Sequence, residues 1–185
     1  TKHTERIKNS VHGLTEILND FLSVDKLETQ ITPVRIVSFN YEQLSLDMLE
    51  EMDTIKKNGQ VITRELIGDN FNITTDPNII KNILYNLISN AIKYSGEDKP
   101  ILYRSEIADN KLLILVRDKG IGIPKQDQAQ LFSRFFRAQN VTNIEGTGLG
   151  LNIVQKYLEM LNGTLTFESE ENEETSFYIT IPINQ

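Results

Sequence analysis

Between Pro77 and Tyr94 the apolar residues Ile80, Leu84, Leu87, Ile88 and Ala91 recur with helical spacing. At about 100° per residue they share one side of a helix, while Asn86, Asn90, Lys93 and Tyr94 fall within roughly one third of the circumference on the other. An apolar stripe of that strength must be buried against another layer. The flanking segments supply candidates for it. "QVITREL" and "FNITT" read as short strands, "ILYRSEIADNKLLILVRDKG" as a hairpin turning at Asp109-Asn110, and "GTLTFES" with "TSFYITIPI" as a second hairpin. Upstream, "VRIVSF" reads as a strand and "YEQLSLDMLEEMDTIKK" as a helix ending at Asn58-Gly59. Helices mixed with hairpins predict an α+β two-layer sandwich, in which a mixed, mostly antiparallel sheet is covered on one face by helices.

The first 28 residues read as one long helix of different character. Ile7, Val11, Leu14, Leu18 and Phe21 follow alternating steps of four and three, and Ile17 and Leu22 widen the seam. Such a stripe needs a partner, either its own domain or another helix or chain. "ETQITP" then breaks the helix, Pro33 withdrawing a donor and biasing Thr32 toward extended backbone. The expected organisation is therefore a helix over 1–28, a linker over 29–33 and a domain over 34–185.

Composition removes several function classes. A net charge of −7 argues against a nonspecific nucleic-acid or anionic-membrane binder. The absence of cysteine removes disulfides, thiolate zinc sites and cysteine nucleophiles, and fits a cytoplasmic location. No apolar run approaches the ~20 residues needed to span a bilayer, although the sequence leaves open a membrane segment elsewhere in a longer protein. His3 and His12 lie in the first helix without an adjacent acid, and no Ser-His-Asp set or metal-spaced carboxylate cluster is present, so hydrolase and dedicated metalloenzyme readings drop out.

Four stretches can carry chemistry. On "NLISNAIKY" (86–94), asparagine is a mediocre helix former, so two of them aligned with a lysine ask for a reason. An amide oxygen can complete the shell of Mg²⁺ where phosphates bring the negative charge, and a solvated helix face is the plain alternative. In "VRDKGIGIP" (116–124), Asp118 ends an apolar strand, and Gly120 and Gly122 follow. An aspartate at the mouth of a sheet can accept a hydrogen bond from an exocyclic amino group and would reject a carbonyl there. The same pattern also serves an ordinary turn. "LFSRFFR" (131–137) combines three phenylalanines with two arginines inside an irregular region spanning roughly 119–146, too long for a plain connector. Its aromatics could anchor a loop while Arg137 or Arg134 reaches a phosphate, or it could form a short amphipathic helix. Finally "EGTGLGLNIVQKYLEMLNG" places Gly146, Gly148 and Gly150 ahead of a helix expected to begin near Thr147, fixed to the core by Leu151, Val154, Leu158 and Leu161. It matches neither a Walker A loop nor a dinucleotide fingerprint. Its helix N-terminus is suited to an anion.

In this order and spacing, "NLISNAIKYS", "DKGIGIP", "LFSRFFR" and "GTGLGL" closely resemble the N, G1, F and G2 boxes of sensor histidine kinases. Those kinases carry the Bergerat ATP-binding fold shared with gyrase, Hsp90 and MutL-type ATPases. The resemblance covers about 34–183. "RIKNSVHGLTEILNDFLSVDKLE" is similar to the second helix of their dimerization and histidine-phosphotransfer hairpin. The resemblance implies ATP and Mg²⁺ as ligands, with Asn90 as metal ligand and Asn86 in support. It places Lys93 at the phosphates, Tyr94 on the nucleoside side and Asp118 on the adenine amino group. It has Gly120 and Gly122 admitting backbone close to the base, Arg137 facing the γ-phosphate and 138–148 forming a lid. Gly146, Thr147, Gly148, Leu149 and Gly150 would supply the hinge and phosphate contacts, and Thr175 would lie near adenine.

The implied activity is transfer of the ATP γ-phosphoryl to a histidine, with Asn90, Lys93 and Arg137 catalytic. The implied partners are a response-regulator receiver domain, the histidine-bearing hairpin of the same kinase and a second copy joined through the N-terminal helix; nucleic acid is not among them. The alternatives are an ATPase of the same fold working by a conformational cycle and a degenerate, non-catalytic kinase-like module. The chain departs from the family in two places. The glycines usual before the final threonine are replaced by the acidic "NEETSF", and the first hairpin helix with its phosphoacceptor histidine is not in this sequence.

Overall fold

The computed structural model describes residues 33–141 and 143–183; the N-terminal helix and most of the linker expected from the sequence lie outside the described residues. β1 (Val37–Asn40) and β3 (Asn72–Thr75) pair antiparallel as a separate two-stranded sheet. The remaining strands form one five-stranded sheet: β2 (Val61–Ile67), β4 (Pro100–Ala108), β5 (Lys111–Asp118), β7 (Glu174–Pro182) and β6 (Thr164–Glu170), in that spatial order. β2 runs parallel to β4 and every other neighbouring pair is antiparallel, so the sheet is mixed and mostly antiparallel, as the hairpin signals predicted. Asp109 and Asn110 both take positive φ, 51° and 57°, the geometry of a tight hairpin turn whose twist matches its strands.

Three longer helices pack on this framework: α1 (Tyr41–Asp53), α2 (Pro77–Tyr94) and α4 (Gly150–Met160), with the single turn α3 (Lys125–Gln128) between the last two. α2 is the central one. The Asp76 side chain caps it, accepting from Asn78 N at 2.9 Å and Ile79 N at 3.2 Å, and Pro77 fills the first turn, where no N–H is needed. Its buried face comprises Ile79, Ile80, Ile83, Leu84, Leu87, Ile88, Ala91 and Ile92, which includes every apolar position read from the sequence. These meet the inward-facing Ile101, Tyr103 and Ile107 of β4, Leu112, Ile114 and Val116 of β5, and Phe177, Ile179 and Ile181 of β7. α1 starts at Tyr41, whose buried hydroxyl bonds Tyr103 Oη at 2.6 Å and Ser105 Oγ at 2.7 Å.

Two helix boundaries differ from expectation. α1 ends at Asp53 rather than near Lys57, because Thr54 turns its hydroxyl onto Glu51 O and Gly59, at φ 71°, reverses the chain. α4 begins at Gly150 rather than near Thr147, since Gly148 at φ 71° cannot belong to a right-handed helix. The far end of α4 matches its reading: Asn162 takes φ 53°, its N–H reaches Glu159 O, and Gly163 N reaches Leu158 O at 2.8 Å, a Schellman ending.

Candidate functional site

The polar face of α2, the end of β5 and the irregular region before α4 meet at one edge of the sandwich. Asn86 turns its amide nitrogen back onto Asn82 O at 2.9 Å, which leaves its oxygen pointing away from the helix. Gly150, the first residue of α4, passes that oxygen so closely that a Cβ there would lie 2.8 Å from Asn86 Oδ1 and 3.9 Å from Asn90 Nδ2. Further along the same face, a Cβ at Gly146 would lie 2.5 Å from Lys93 Nζ and 3.7 Å from the Tyr94 hydroxyl. The lid segment therefore crosses directly over Lys93 and Tyr94, with the ammonium 5.4 Å from the Tyr94 ring centre. Thr147 Oγ1 accepts from Leu149 N at 3.1 Å, and Leu149 is buried against Ile153 and Tyr157, which seats the start of α4.

Asp118 closes the floor. It is buried at the end of β5, opposite Thr175 of β7 in register. Burial pushes its carboxyl up to about 7, against the opposing pull of the Gly120 N–H and the Ser95 hydroxyl, while the charge of Glu174 adds to the rise. Ser95 Oγ lies 3.5 Å from Asp118 Oδ1, and Ser95 and Gly120 form a β-bridge. The sequence did not single out Ser95, although it is the residue immediately after "NAIKY". Thr175 Oγ1 bonds Ser169 Oγ at 2.8 Å, and Ser169 also accepts from Ile123 N, so the final strand and the glycine loop share one hydroxyl.

The glycines differ in what demands them. A side chain at Gly120 would strike Tyr94 O and Asp118 Oδ1, and one at Gly122, at φ 60°, would strike the Glu170 carbonyl. At Gly148 it would lie 2.7 Å from Phe136 O. At 120, 122 and 148, protein backbone itself excludes any larger residue, and at 122 and 148 a positive φ adds to the demand. The acidic turn between β6 and β7 is made by Asn172 at φ 63°, whose N–H reaches Ile121 O at 2.8 Å.

"LFSRFFR" forms turns rather than a helix. Phe132 anchors it, edge-on to Phe167 at 5.7 Å. Phe135 takes φ 59° and stays largely exposed. Arg137 turns inward: its guanidinium donates to Val141 O at 2.7 Å and to Ile144 O, holding the lid backbone. Its positive charge is felt at the Tyr94 hydroxyl, which burial pushes above its ordinary range. Its Nε is buried without a partner among the described residues. Asn140 ties the start of the lid to the glycine loop through Gly122 O at 3.0 Å. A buried orphan donor, a buried carboxyl at a sheet mouth and a glycine-lined crossing over a lysine are groups that could hold an anionic ligand with a hydrogen-bond-donating end.

Comparison with known proteins agrees with that class. Residues 75–185 match the family model described as histidine kinase-, DNA gyrase B-, and HSP90-like ATPase. The circadian input-output histidine kinase CikA of Synechococcus elongatus is 27% identical over 186 residues, covering 98% of this chain and 25% of that protein. The signal transduction histidine-protein kinase BarA of Escherichia coli K12 is 31% identical over 194 residues, covering 98% of this chain and 21% of that protein. The chain thus spans a quarter or less of these relatives' lengths. Among solved structures, the histidine kinase ThkA in complex with response regulator protein TrrA superposes with a TM-score of 0.73 at 25% identity, over 98% of this chain and 51% of that one. The chain belongs to the histidine kinase-, DNA gyrase B- and HSP90-like ATPase family, as the catalytic domain of a sensor histidine kinase.

Proposed function

We propose that this domain binds ATP with Mg²⁺ and transfers the γ-phosphoryl group to a histidine on the hairpin of the same kinase, from which a response-regulator receiver domain takes it onto an aspartate. The observation that carries this reading is the close passage of Gly146 over Lys93 and Tyr94 and of Gly150 over Asn86 and Asn90, with Asp118 buried at the adjoining end of β5 beside Ser95. Those residues fit the ligand. Asp118 as carboxylate accepts from the adenine amino group and refuses a 6-oxo purine, which would set acceptor against acceptor. Gly120 and Gly122 keep the neighbouring wall free of side chains, with Tyr94 on the nucleoside side and Thr175 near the base. Lys93 offers its charge to the phosphates, and the glycines of the lid with the N-terminus of α4 offer backbone N–H groups. Asn90, supported by Asn86, would hold Mg²⁺, which neutralises phosphate charge when bound. Arg137 would exchange the lid carbonyls of Val141 and Ile144 for the transferring phosphoryl group, its planar fork suited to both. Catalysis on this scheme is positioning and charge neutralisation.

The expected organisation follows the sequence reading. Residues 1–28 would form the second helix of the phosphotransfer hairpin and join two copies, 29–33 would link it to the domain over 34–185, and the domain would lie in the cytoplasm. The solved complex of ThkA with TrrA supports a receiver domain as partner. The test is phosphotransfer from labelled ATP to a separate histidine-bearing hairpin. Asn90→Ala should abolish Mg-dependent transfer with the circular dichroism spectrum unchanged. Label reaching only water points to a conformational ATPase, and unchanged transfer by Asn90→Ala would sink the metal-ligand assignment.

A further inference from the structure

The last carbonyls of a helix have no partner within it, and where the chain leaves the helix straight into a site their partners decide how firmly that site is held. α2 leaves this way: Ser95 is extended, at φ −84° and ψ 152°, immediately after Lys93 and Tyr94. Every carbonyl from Ile92 to Gly96 nevertheless has a donor. Tyr94 O receives Ile121 N from the glycine loop at 3.2 Å. The other four are served by two side chains more than thirty residues upstream, in the turn between α1 and β2. Lys57 Nζ donates to Lys93 O and Ser95 O, both at 2.6 Å. Gln60 Nε2 donates to Ile92 O at 3.1 Å and Gly96 O at 3.0 Å.

The loop that carries the two donors is itself held. Gln60 is buried, and its Oε1 accepts from Lys57 N at 2.8 Å, so one short loop presents both. Asp98 N closes onto Asn58 O at 3.0 Å, stapling the loop to the segment that follows Gly96. A cation at a helix C-terminus is favoured by the helix dipole, and a charged donor makes a stronger bond to a carbonyl than a neutral one. The gripped segment carries Lys93 and Tyr94, and through the Ser95 hydroxyl and the Ser95–Gly120 bridge it reaches Asp118.

We infer that Lys57 and Gln60 are positioning residues of the nucleotide site, setting both its affinity and its preference for a 6-amino purine by fixing the backbone from Ile92 to Gly96. This deepens the proposed function and rests on it. The substitution Lys57→Met keeps the aliphatic stem and removes the donor; Lys57→Arg restores a charged donor; Gln60→Met does for Ile92 and Gly96 what Lys57→Met does for Lys93 and Ser95. Calorimetric titration of the full chain with Mg-ATP and, separately, with Mg-inosine triphosphate reads both effects. Lys57→Met should weaken Mg-ATP binding roughly tenfold, the scale of an outer-shell loss. It should also lower the ratio of ATP to inosine triphosphate affinity, and Lys57→Arg should recover both. Gln60→Met should act in the same direction with a lower melting temperature. If wild type binds Mg-ATP and Lys57→Met equals it in affinity and base preference, the inference fails, including where only the melting temperature has dropped. If wild type binds neither nucleotide, the ATP reading itself falls and this inference with it.

Discussion

Burying a carboxyl at the mouth of a sheet raises the free energy of its charged form, and at Asp118 the two donors in reach, Gly120 N–H and Ser95 Oγ, offset only part of that. The folded-state value near 7 lies above the unfolded value of about 3.9, so the folded protein holds this proton more tightly than the unfolded chain does. Its favourable contribution is therefore complete below about pH 4 and is lost as pH rises through about 7. Each pH unit separating the two values is worth about 1.4 kcal/mol, so the loss amounts to a few kcal/mol. Asp118→Asn should consequently melt higher than wild type at pH 8, with the gap closing toward pH 5, in paired thermal scans. On the proposed base contact nucleotide affinity would run the other way, because the adenine amino group would be held best by the carboxylate. Mg-ATP binding by wild type should weaken as pH falls from 8 to 6, and Asp118→Asn should bind poorly throughout. An affinity flat across that range would remove Asp118 from the base contact. The residue types at this site were legible because a polar group on an apolar period stands out. Ser95, Lys57 and Gln60 were not, since their importance lies in which distant carbonyl they reach.

The lid shows the same division among elements. The sequence marks it by the length of the irregular region, by the arginines of the stretch just before it and by glycines at alternate positions, yet the start of α4 was misplaced because Leu149 and Thr147 suit a helix as well as a loop. What moves the boundary is the path of the chain past Phe135 and Phe136, a contact no local pattern encodes. The pairing of β1 with β3 as a sheet of its own was hidden for a similar reason: both segments read as strands, but their partners are set by packing. α2, by contrast, was legible from end to end, because Asp76, Pro77 and an unbroken apolar period all act locally. Gly148 tests the lid. At φ 71° and with a Cβ position 2.7 Å from Phe136 O, Gly148→Ala combines a disfavoured backbone with a collision against main chain. It should lower stability by about 1–3 kcal/mol, the usual scale for such strain. It should also displace the lid from Lys93, weakening Mg-ATP binding. A variant with wild-type melting and wild-type affinity would show that the lid does not depend on this turn.

Across the whole molecule the site draws on segments far apart in the chain: the turn at 57–60, the end of α2, the loop after β5, the lid and β7. Few of these contacts exist in an unfolded chain, so a ligand that binds there binds the folded state selectively and must stabilise all of it. At a hundredfold excess over Kd that linkage is worth about 2.7 kcal/mol. For a domain of this size each kcal/mol moves the melting temperature by about 2–4 °C, so saturating Mg-ATP should raise it by roughly 5–11 °C. Lys57→Met, if it binds tenfold more weakly, should lose about 1.4 kcal/mol of that gain at the same nucleotide concentration, and Asp118→Asn nearly all of it. Differential scanning calorimetry with and without millimolar Mg-ATP makes the comparison directly. A wild-type melting temperature unmoved by nucleotide would mean that these segments do not meet around ATP, whatever their resemblance to a kinase.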